Sequence, residues 1–350
     1  MPASHPPPEA ALQHSLPHHL LRIIPGMALA LAIGALSLWL ASQPLLARYR
    51  IDPLMLAIVI GMAIGALLGE RLPRHIEPGV GTAQHRLLNL GILLYGARIS
   101  LTAIAGIGLT GLLLDAFIVV STLGLGIFLG RRVLGLDRDT SLLLGFGNAI
   151  CGVAAILALA RMIHAEHSKI AAAIAVVILF STLEIFFDPW LYHHFLSHLG
   201  PSGFGTLVGA TVPAVGQVLA IGDSIGHTTT GVAIVVKLGR VIMLAPALLL
   251  LGWWLRRHQD HPHKVRVHLP WFAFGFVALS GLISLYPLTP GIHHWVASGD
   301  DLLLGGAMAA IGLETRISKV RALGRRPLLL GILLTGWLFL AGLLGLYWIG

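Results

Sequence analysis

Lys237 and Arg240 stand in GVAIVVKLGRVIMLAP, an apolar run that holds no acidic residue. Three residues apart, they share one face of a helix. Ionisable groups are expensive in hydrocarbon, and those that persist there mark functional sites. Two adjacent cations call for an anion, either a carboxylate such as Asp115 or Glu314 or a bound solute. Snorkelling to the interface suits Arg240 only if the run is displaced, because apolar or small residues follow it as far as Gly252. Asp115, in GLLLDAFIVV, is a carboxylate well inside an apolar run. It can balance Lys237 as a structural partner, or load and release a proton during coupling. Glu184, Asp188 and Asp223 fall nearer the ends of their runs and read as interfacial.

Two further segments are poorly suited to being continuous helices. GFGNAICGVAAI (Gly145–Ile156) sets Gly145, Gly147, Asn148, Cys151 and Gly152 in the middle of an apolar stretch. Each glycine costs about 1 kcal/mol of helix propensity relative to alanine, and lipid tolerates an opened backbone only where protein or a water-filled cavity satisfies it. A break here would present free N–H groups near Asn148–Gly152 at a half-helix N-terminus, which is an anion site. Close helix packing through small residues is the competing reading. GATVPAVGQVLAIG (Gly209–Gly222) is the second segment. Pro213 removes a backbone donor, Gly216 softens the next turn, and Gln217 offers both a donor and an acceptor. An ordinary proline kink is the alternative there.

Other chemistries find little support. RRHQDHPHKVRVH carries His258, His261, His263 and His268 beside Asp260, but Arg256, Arg257, Lys264 and Arg266 would repel a metal cation, and no HExxH spacing is present. No metal site and no cofactor are expected. The single Cys151 excludes an internal disulfide. No GxxxxGK[ST] motif points to nucleotide-driven pumping. Asp137/Asp139 and Asp300/Asp301 read as helix-starting residues rather than as an enzyme's acidic pair.

The elements that must hold these residues are membrane helices. The chain of 350 residues is 56% hydrophobic and 11% charged, with a mean hydropathy of +0.85. A soluble domain carries roughly 25% charged residues, so the apolar surplus faces lipid. The net charge of +8 is distributed in short basic runs between apolar segments, a topology signal rather than a nucleic-acid-binding one. Segments long enough to cross the bilayer fall near 24–42, 53–69, 87–101, 108–130, 140–162, 168–189, 204–221, 228–255, 270–287, 300–315 and 327–348. The expectation is an all-α integral membrane protein of about eleven spans, with residues 1–22 a disordered cytoplasmic tail without a signal peptide and 23–350 a single transmembrane domain. With the N-terminus inside, sixteen of the 23 Lys and Arg residues fall on the cytoplasmic side and five outside, so the C-terminus is expected outside. RLLNLGILLYGARIS (Arg86–Ser100) resembles DLLLGGAMAAIGLETRIS (Asp301–Ser318), and an offset of 216 pairs Gly96 with Gly312 and Gly108 with Gly324. Inverted repeats of this kind are a feature of secondary transporters; chance similarity between Leu/Gly-rich segments is the alternative.

GFGNAICGVAAI resembles the glycine-rich G-x-S-I-C-G-x-x-A signature of the YeiH-like sulfate exporter family of bacterial membrane proteins. The resemblance extends over nearly the whole chain through RLLNLGILLYGARISL, GLDRDTSLLLGFGNAICGVAAI, AEHSKIAAAIAVV, QVLAIG, VKLGRVIMLAP, PWFAFGF and AMAAIGLETRIS, in that order. It implies a helical transporter of the bacterial inner membrane, distantly similar to cation/proton antiporters and bile-acid-type symporters, with inverted repeats and discontinuous helices. Two departures stand out. Asn148-Ala149 occupies the place of the family's serine, and Pro213-Ala214 replaces the His-Glu of its T-x-H-E-V-A-Q pattern. The functional expectation is alternating-access transport of a small anion, sulfate or a related oxyanion or sulfonate, on Asn148, Cys151, Gly152, Gln217, Lys237 and Arg240. A membrane-embedded enzyme, an ion channel or a carrier of another small carboxylate or ion are the alternatives. Its partners would be the anionic solute and the bilayer, with no nucleic acid; a homo-oligomer is compatible with the same composition.

Overall fold

The computed structural model describes residues 16–44, 46, 52–68, 76–99, 108–256, 271–286, 288–315 and 324–349. Every regular element among them is a helix: α1 (Leu16–Ala41), α2 (Pro53–Leu68), α3 (Glu77–Tyr95), α4 (Gly108–Phe128), α5 (Arg138–Ala149), α6 (Val153–Ile163), α7 (His167–Leu191), α8 (Gly200–Thr211), α9 (Val215–Ile225), α10 (His227–Ile242), α11 (Leu244–Arg256), α12 (Trp271–Leu285), α13 (Pro290–Glu314) and α14 (Arg325–Ile349). Among the described residues, six stretches are long and apolar enough to cross a membrane: Ile23–Ala41, Leu113–Val133, His167–Thr211, His227–Trp253, Gly291–Glu314 and Arg325–Trp348. The histidine-bearing loop and the tail up to residue 15 lie outside the described residues, whereas α1 takes in Leu16–Arg22, which the composition assigns to the tail.

The described residues form two compact units. The first comprises those up to Gly91 together with those from Ser298 to Thr315. Its helices meet backbone to backbone through small residues, as membrane helices do when lipid supplies no hydrophobic drive. Gly26 lies on Gly79, Gly34 on Gly305 and Gly306, and Gly61 on Gly312. Gly81 faces the Glu314 carboxylate and Gly91 faces Leu304, so the shared stretches of α3 and α13 run antiparallel. These stretches carry parts of the two similar segments.

The second unit holds everything else that is described. In it α4 and α14 also run antiparallel: Gly345 lies on Leu114, the Trp337 indole donates to the Ser121 hydroxyl at 3.3 Å, and Gly130 lies near Leu330. Between them the chain does something the hydropathy profile does not convey. Asp137 caps α5, accepting from the backbone N–H groups of Asp139 and Thr140 at 3.1 Å each and from the Thr140 hydroxyl at 2.6 Å. Lys169, in the first turn of α7, pairs with the same Asp137 at 3.2 Å and with Asp139 at 3.4 Å. The 26 residues from Arg138 to Ile163 would reach about 39 Å as one straight helix. They instead leave and return to the same place. Gly147 of α5 lies against Ile156 of α6, which makes the two an antiparallel hairpin, and a crossing span at 140–162 is thereby corrected to a re-entrant one.

The stretch 204–221 is corrected in the same way. Gly205 and Gly209 of α8 lie in register on the backbones of Thr229 and Ala233 of α10, so those two helices are parallel. Gly222 of α9 lies on Thr230, and the Thr230 hydroxyl donates to Asp223 at 3.2 Å, so α9 is antiparallel to α10. Hence α8 and α9 form a second hairpin. Gly226, with φ 146° and ψ 166°, makes the tight reversal from α9 into α10 in a region open chiefly to glycine. The first hairpin starts and ends beside the N-terminus of α7, and the second follows its C-terminus through the tight turns Tyr192–Leu196 and Ser197–Leu199. α7 alone is 25 residues, about 37 Å long. The two hairpins therefore enter from opposite ends of the unit and point towards each other.

Candidate functional site

The tips meet. In the first, α5 ends at Ala149, Ile150 and Cys151 turn the chain, and Gly152 opens α6 with φ 69° and ψ −122°. Only glycine adopts that conformation readily, and a methyl group there would also touch Val177 and Ala214. In the second tip α8 ends at Thr211, and Val212, Pro213 and Ala214 lead into α9. Proline suits this place because its missing N–H has no helical partner to lose. Ala214 packs beside Gly152, so the residues standing where the family pattern has His-Glu lie at the point where the tips touch.

Lys237 and Arg240 fasten this junction. Both are fully buried, with no exposed surface. The Lys237 ammonium donates to the carbonyls of Ile150 and Val212, each at 2.7 Å, and so ties one tip to the other. Arg240 donates from Nε to the Ala149 carbonyl at 2.5 Å, from one terminal nitrogen to Asn148 at 2.6 Å, and from the other to Ala210. Those five carbonyls belong to the last turns of α5 and α8 or lie just past them, where a helix leaves acceptors without intrahelical donors and presents its negative dipole end. The two cations thus meet backbone oxygens rather than a side-chain partner.

What they leave open are the opposite ends. The first turns of α6 and α9 turn their positive dipole ends towards the same junction, where the Ala155 N–H meets the Cys151 side chain. There the tips are not fully covered: Cys151, Val153 and Ala214 are partly exposed and Ala154 is exposed, whereas Thr140–Ile150 and Val215–Gly222 are buried throughout. Asn148 donates to the Leu144 carbonyl at 2.9 Å and buries its own side-chain oxygen without a partner. Gln217, in the first turn of α9, does likewise with its side-chain oxygen. Gly145 lies on Gly126 of α4 and Gly147 on Ile156 and Val177, so these two glycines serve close packing while the break itself falls at 150–152. Gly216 is buried within α9, after the second break.

Asp115 is 1% exposed, and neither of its carboxyl oxygens has a hydrogen-bond partner. It lies within electrostatic range of Arg240 and Lys237 without touching either. Glu184 and Asp188, at 8% and 6% exposure, are buried on α7. They follow Val177 and Ser181 along one face of that helix, and Val177 touches the first tip. Their signal in sequence is the i, i+4 spacing of two acids in an apolar run. Among the described residues no group of three His, Cys, Asp or Glu side chains is placed to hold a metal ion.

Such a molecule is a helical membrane protein built around two opposed re-entrant hairpins. The chain matches the model of the conserved hypothetical protein 698 family over residues 25–331. It is 41% identical over 329 residues to a UPF0324 membrane protein of Pseudomonas aeruginosa, covering 92% of this chain and 93% of the relative. It is 37% identical over 325 residues to the UPF0324 inner membrane protein YeiH of Escherichia coli, covering 92% and 93%. A UPF0324 membrane protein of Photorhabdus laumondii shares 37% identity over 341 residues, covering 95% and 94%. The chain belongs to this YeiH-like family of UPF0324 membrane proteins.

Proposed function

We propose that this chain is a secondary transporter that moves a small anion, sulfate or a related oxyanion or sulfonate, across the bacterial inner membrane by alternating access. The observation that carries this reading is the charge arrangement at the hairpin tips. Lys237 and Arg240 compensate the negative ends of α5 and α8, which leaves the positive ends of α6 and α9 uncompensated beside partly exposed Cys151 and Ala214. An anion there is held by backbone N–H groups after Gly152 and in the first turn of α9, with Asn148 and Gln217 at its margins and the two buried cations supplying field. Opposed re-entrant hairpins offer an approach from either side of the membrane to one shared centre, which is what alternating access needs. The inner-membrane location follows the E. coli relative's own description.

Counterflow in proteoliposomes tests the proposal. Vesicles preloaded with sulfate, sulfite, a small sulfonate or a small carboxylate are offered the labelled solute outside. A carrier for one of these shows exchange-stimulated uptake, and Lys237→Glu abolishes it while the purified protein stays monodisperse. Uptake no greater than in empty vesicles for the whole set, or uptake unchanged by Lys237→Glu, overturns it. Uptake without exchange stimulation instead indicates a channel. A thermal-shift screen with the same anions gives an independent reading, because a ligand at 100 times its Kd stabilises by about 2.7 kcal/mol.

A further inference from the structure

Asp115 is a buried carboxyl group that the anion reading leaves unused. It sits on a stripe of α4 with Thr122 and Gly126 at i+7 and i+11. Gly126 lies on Gly145 of α5, and α5 runs back along α4, so the stripe leads from Asp115 to the first hairpin tip. Three polar groups along it are buried without a hydrogen-bond partner: both Asp115 oxygens, the Thr122 hydroxyl and the Asn148 side-chain oxygen. One turn from Asp115, Ile118 packs with Ala210, Val236, Leu338 and Ala341, which sets the carboxyl beside α8, α10 and α14. Of the helices packed against α4, α10 faces it with Lys237 and Arg240. The other charged or titratable groups described on these helices lie at helix ends: Arg138 and Asp139 on α5, Arg325, Arg326 and Tyr347 on α14, and His227 on α10.

We propose that the Asp115 carboxyl is a proton-binding site that loads and unloads as the protein cycles, and that Arg240 transmits its state to the hairpin tips. An ionised carboxylate in this setting lacks every hydrogen bond that would compensate its desolvation. A proton removes the charge, and Arg240 then keeps all three donors on Asn148, Ala149 and Ala210 as observed. When the proton leaves to water at the open side of the tips, the carboxylate competes for the same guanidinium. Three of its five N–H donors are on carbonyls, and a carboxylate that draws the planar group towards itself tilts it away from those of α5 and α8, which loosens the junction. A metal cation fits the place poorly, since an ammonium and a guanidinium already stand beside it and the nearby carbonyls are occupied. The coupling role rests on the transport reading, but the proton site itself does not.

Infrared spectra of the purified protein in nanodiscs, titrated with pH, read the site without any transported solute. The expected result is a titrating carboxyl C=O stretch that shifts in deuterated buffer, disappears in Asp115→Asn and survives in Glu184→Gln and Asp188→Asn. Retention of the full titrating signal in Asp115→Asn overturns the proposal. If that variant is lost on extraction, Asp115→Glu carries the test: the band must move, and an unmoved band is equally fatal. A titration displaced when sodium replaces choline at constant ionic strength would assign the site to a metal cation and also overturn it. For the Arg240 link, amide hydrogen exchange at residues 148–152 should rise beyond its intrinsic pH dependence as the band titrates. Exchange that follows only the intrinsic dependence removes that link. Failure of counterflow, by contrast, bears on the transport reading alone.

Discussion

Arg240 spends its donors on three separate carbonyls of two different helices, a task that depends on the planar fork of a guanidinium. A lysine there keeps the charge but has one nitrogen, which cannot reach Asn148, Ala149 and Ala210 together. Each buried carbonyl left without a donor costs about 1–3 kcal/mol, so Arg240→Lys should melt well below the wild type in nanodiscs; an equal melting temperature would show that the three bonds do not hold the tips. Asp137 makes a different kind of prediction, because it lies at the mouth of the first hairpin. Partial burial works to raise its carboxyl, but hydrogen bonds from Thr140 and the contact with Lys169 outweigh that and hold it below the ordinary value of 3.8. A carboxyl depressed on folding contributes its full stability above the ordinary carboxylate value and loses it as pH falls through the folded one. Asp137→Asn keeps a capping side chain. Its stability deficit should therefore be constant near neutral pH and close on acidification, and a deficit that persists in acid would rule out the charge as its source. The cations at 237 and 240 were legible as residues out of place in an apolar run. Their partners were not, since backbone carbonyls carry no sequence signal and the readable candidates were carboxylates. Glu184 and Asp188 are buried because neighbouring helices cover their face of α7, and packing of that kind carries no local sequence signal.

At the scale of elements, the breaks were legible and the directions were not. Gly145, Gly147, Asn148 and Gly152 weaken a helix, and Pro213 with Gly216 weakens another, whatever the chain does next. Whether the chain continues onward or doubles back is decided by contacts distant in sequence: Lys169 with Asp137, Gly205 with Thr229, Gly222 with Thr230. A hydropathy window sees about 23 apolar residues in either case, because two half-length helices bury as much hydrocarbon surface as one full-length helix. The hairpin reading is testable by sidedness. In a Cys151→Ser background, Arg132→Cys and Ser168→Cys flank the first hairpin at exposed positions, and Ser202→Cys opens the second. A membrane-impermeant thiol reagent should reach the first two from one face of the membrane and the third from the other. Labelling of positions 132 and 168 from opposite faces would restore a spanning helix and dismiss the hairpin.

For the molecule as a whole, the hairpins alter the charge count without reversing it. A spanning reading of 140–162 sends Arg161 and Lys169 to the side opposite Arg131, Arg132 and Arg138, whereas the observed ion pair returns them to the same side. Each re-entrant hairpin removes one crossing, and the removal of two leaves the ends of the chain where the basic residues had put them. The side read as outer then retains only Arg48, Arg50 and Arg98, so the positive-inside asymmetry becomes stronger. Lys237 and Arg240 drop out of the count, because carbonyls of the tips hold them. We therefore expect the C-terminus outside and the loop of residues 257–270 inside. Alkaline phosphatase, whose disulfides form only outside the reducing cytoplasm, should be active when fused after Gly350 and inactive when fused within that loop, with green fluorescent protein giving the complementary pattern. Fluorescence from the Gly350 fusion would invert the orientation and, with it, the face from which each hairpin meets the solute.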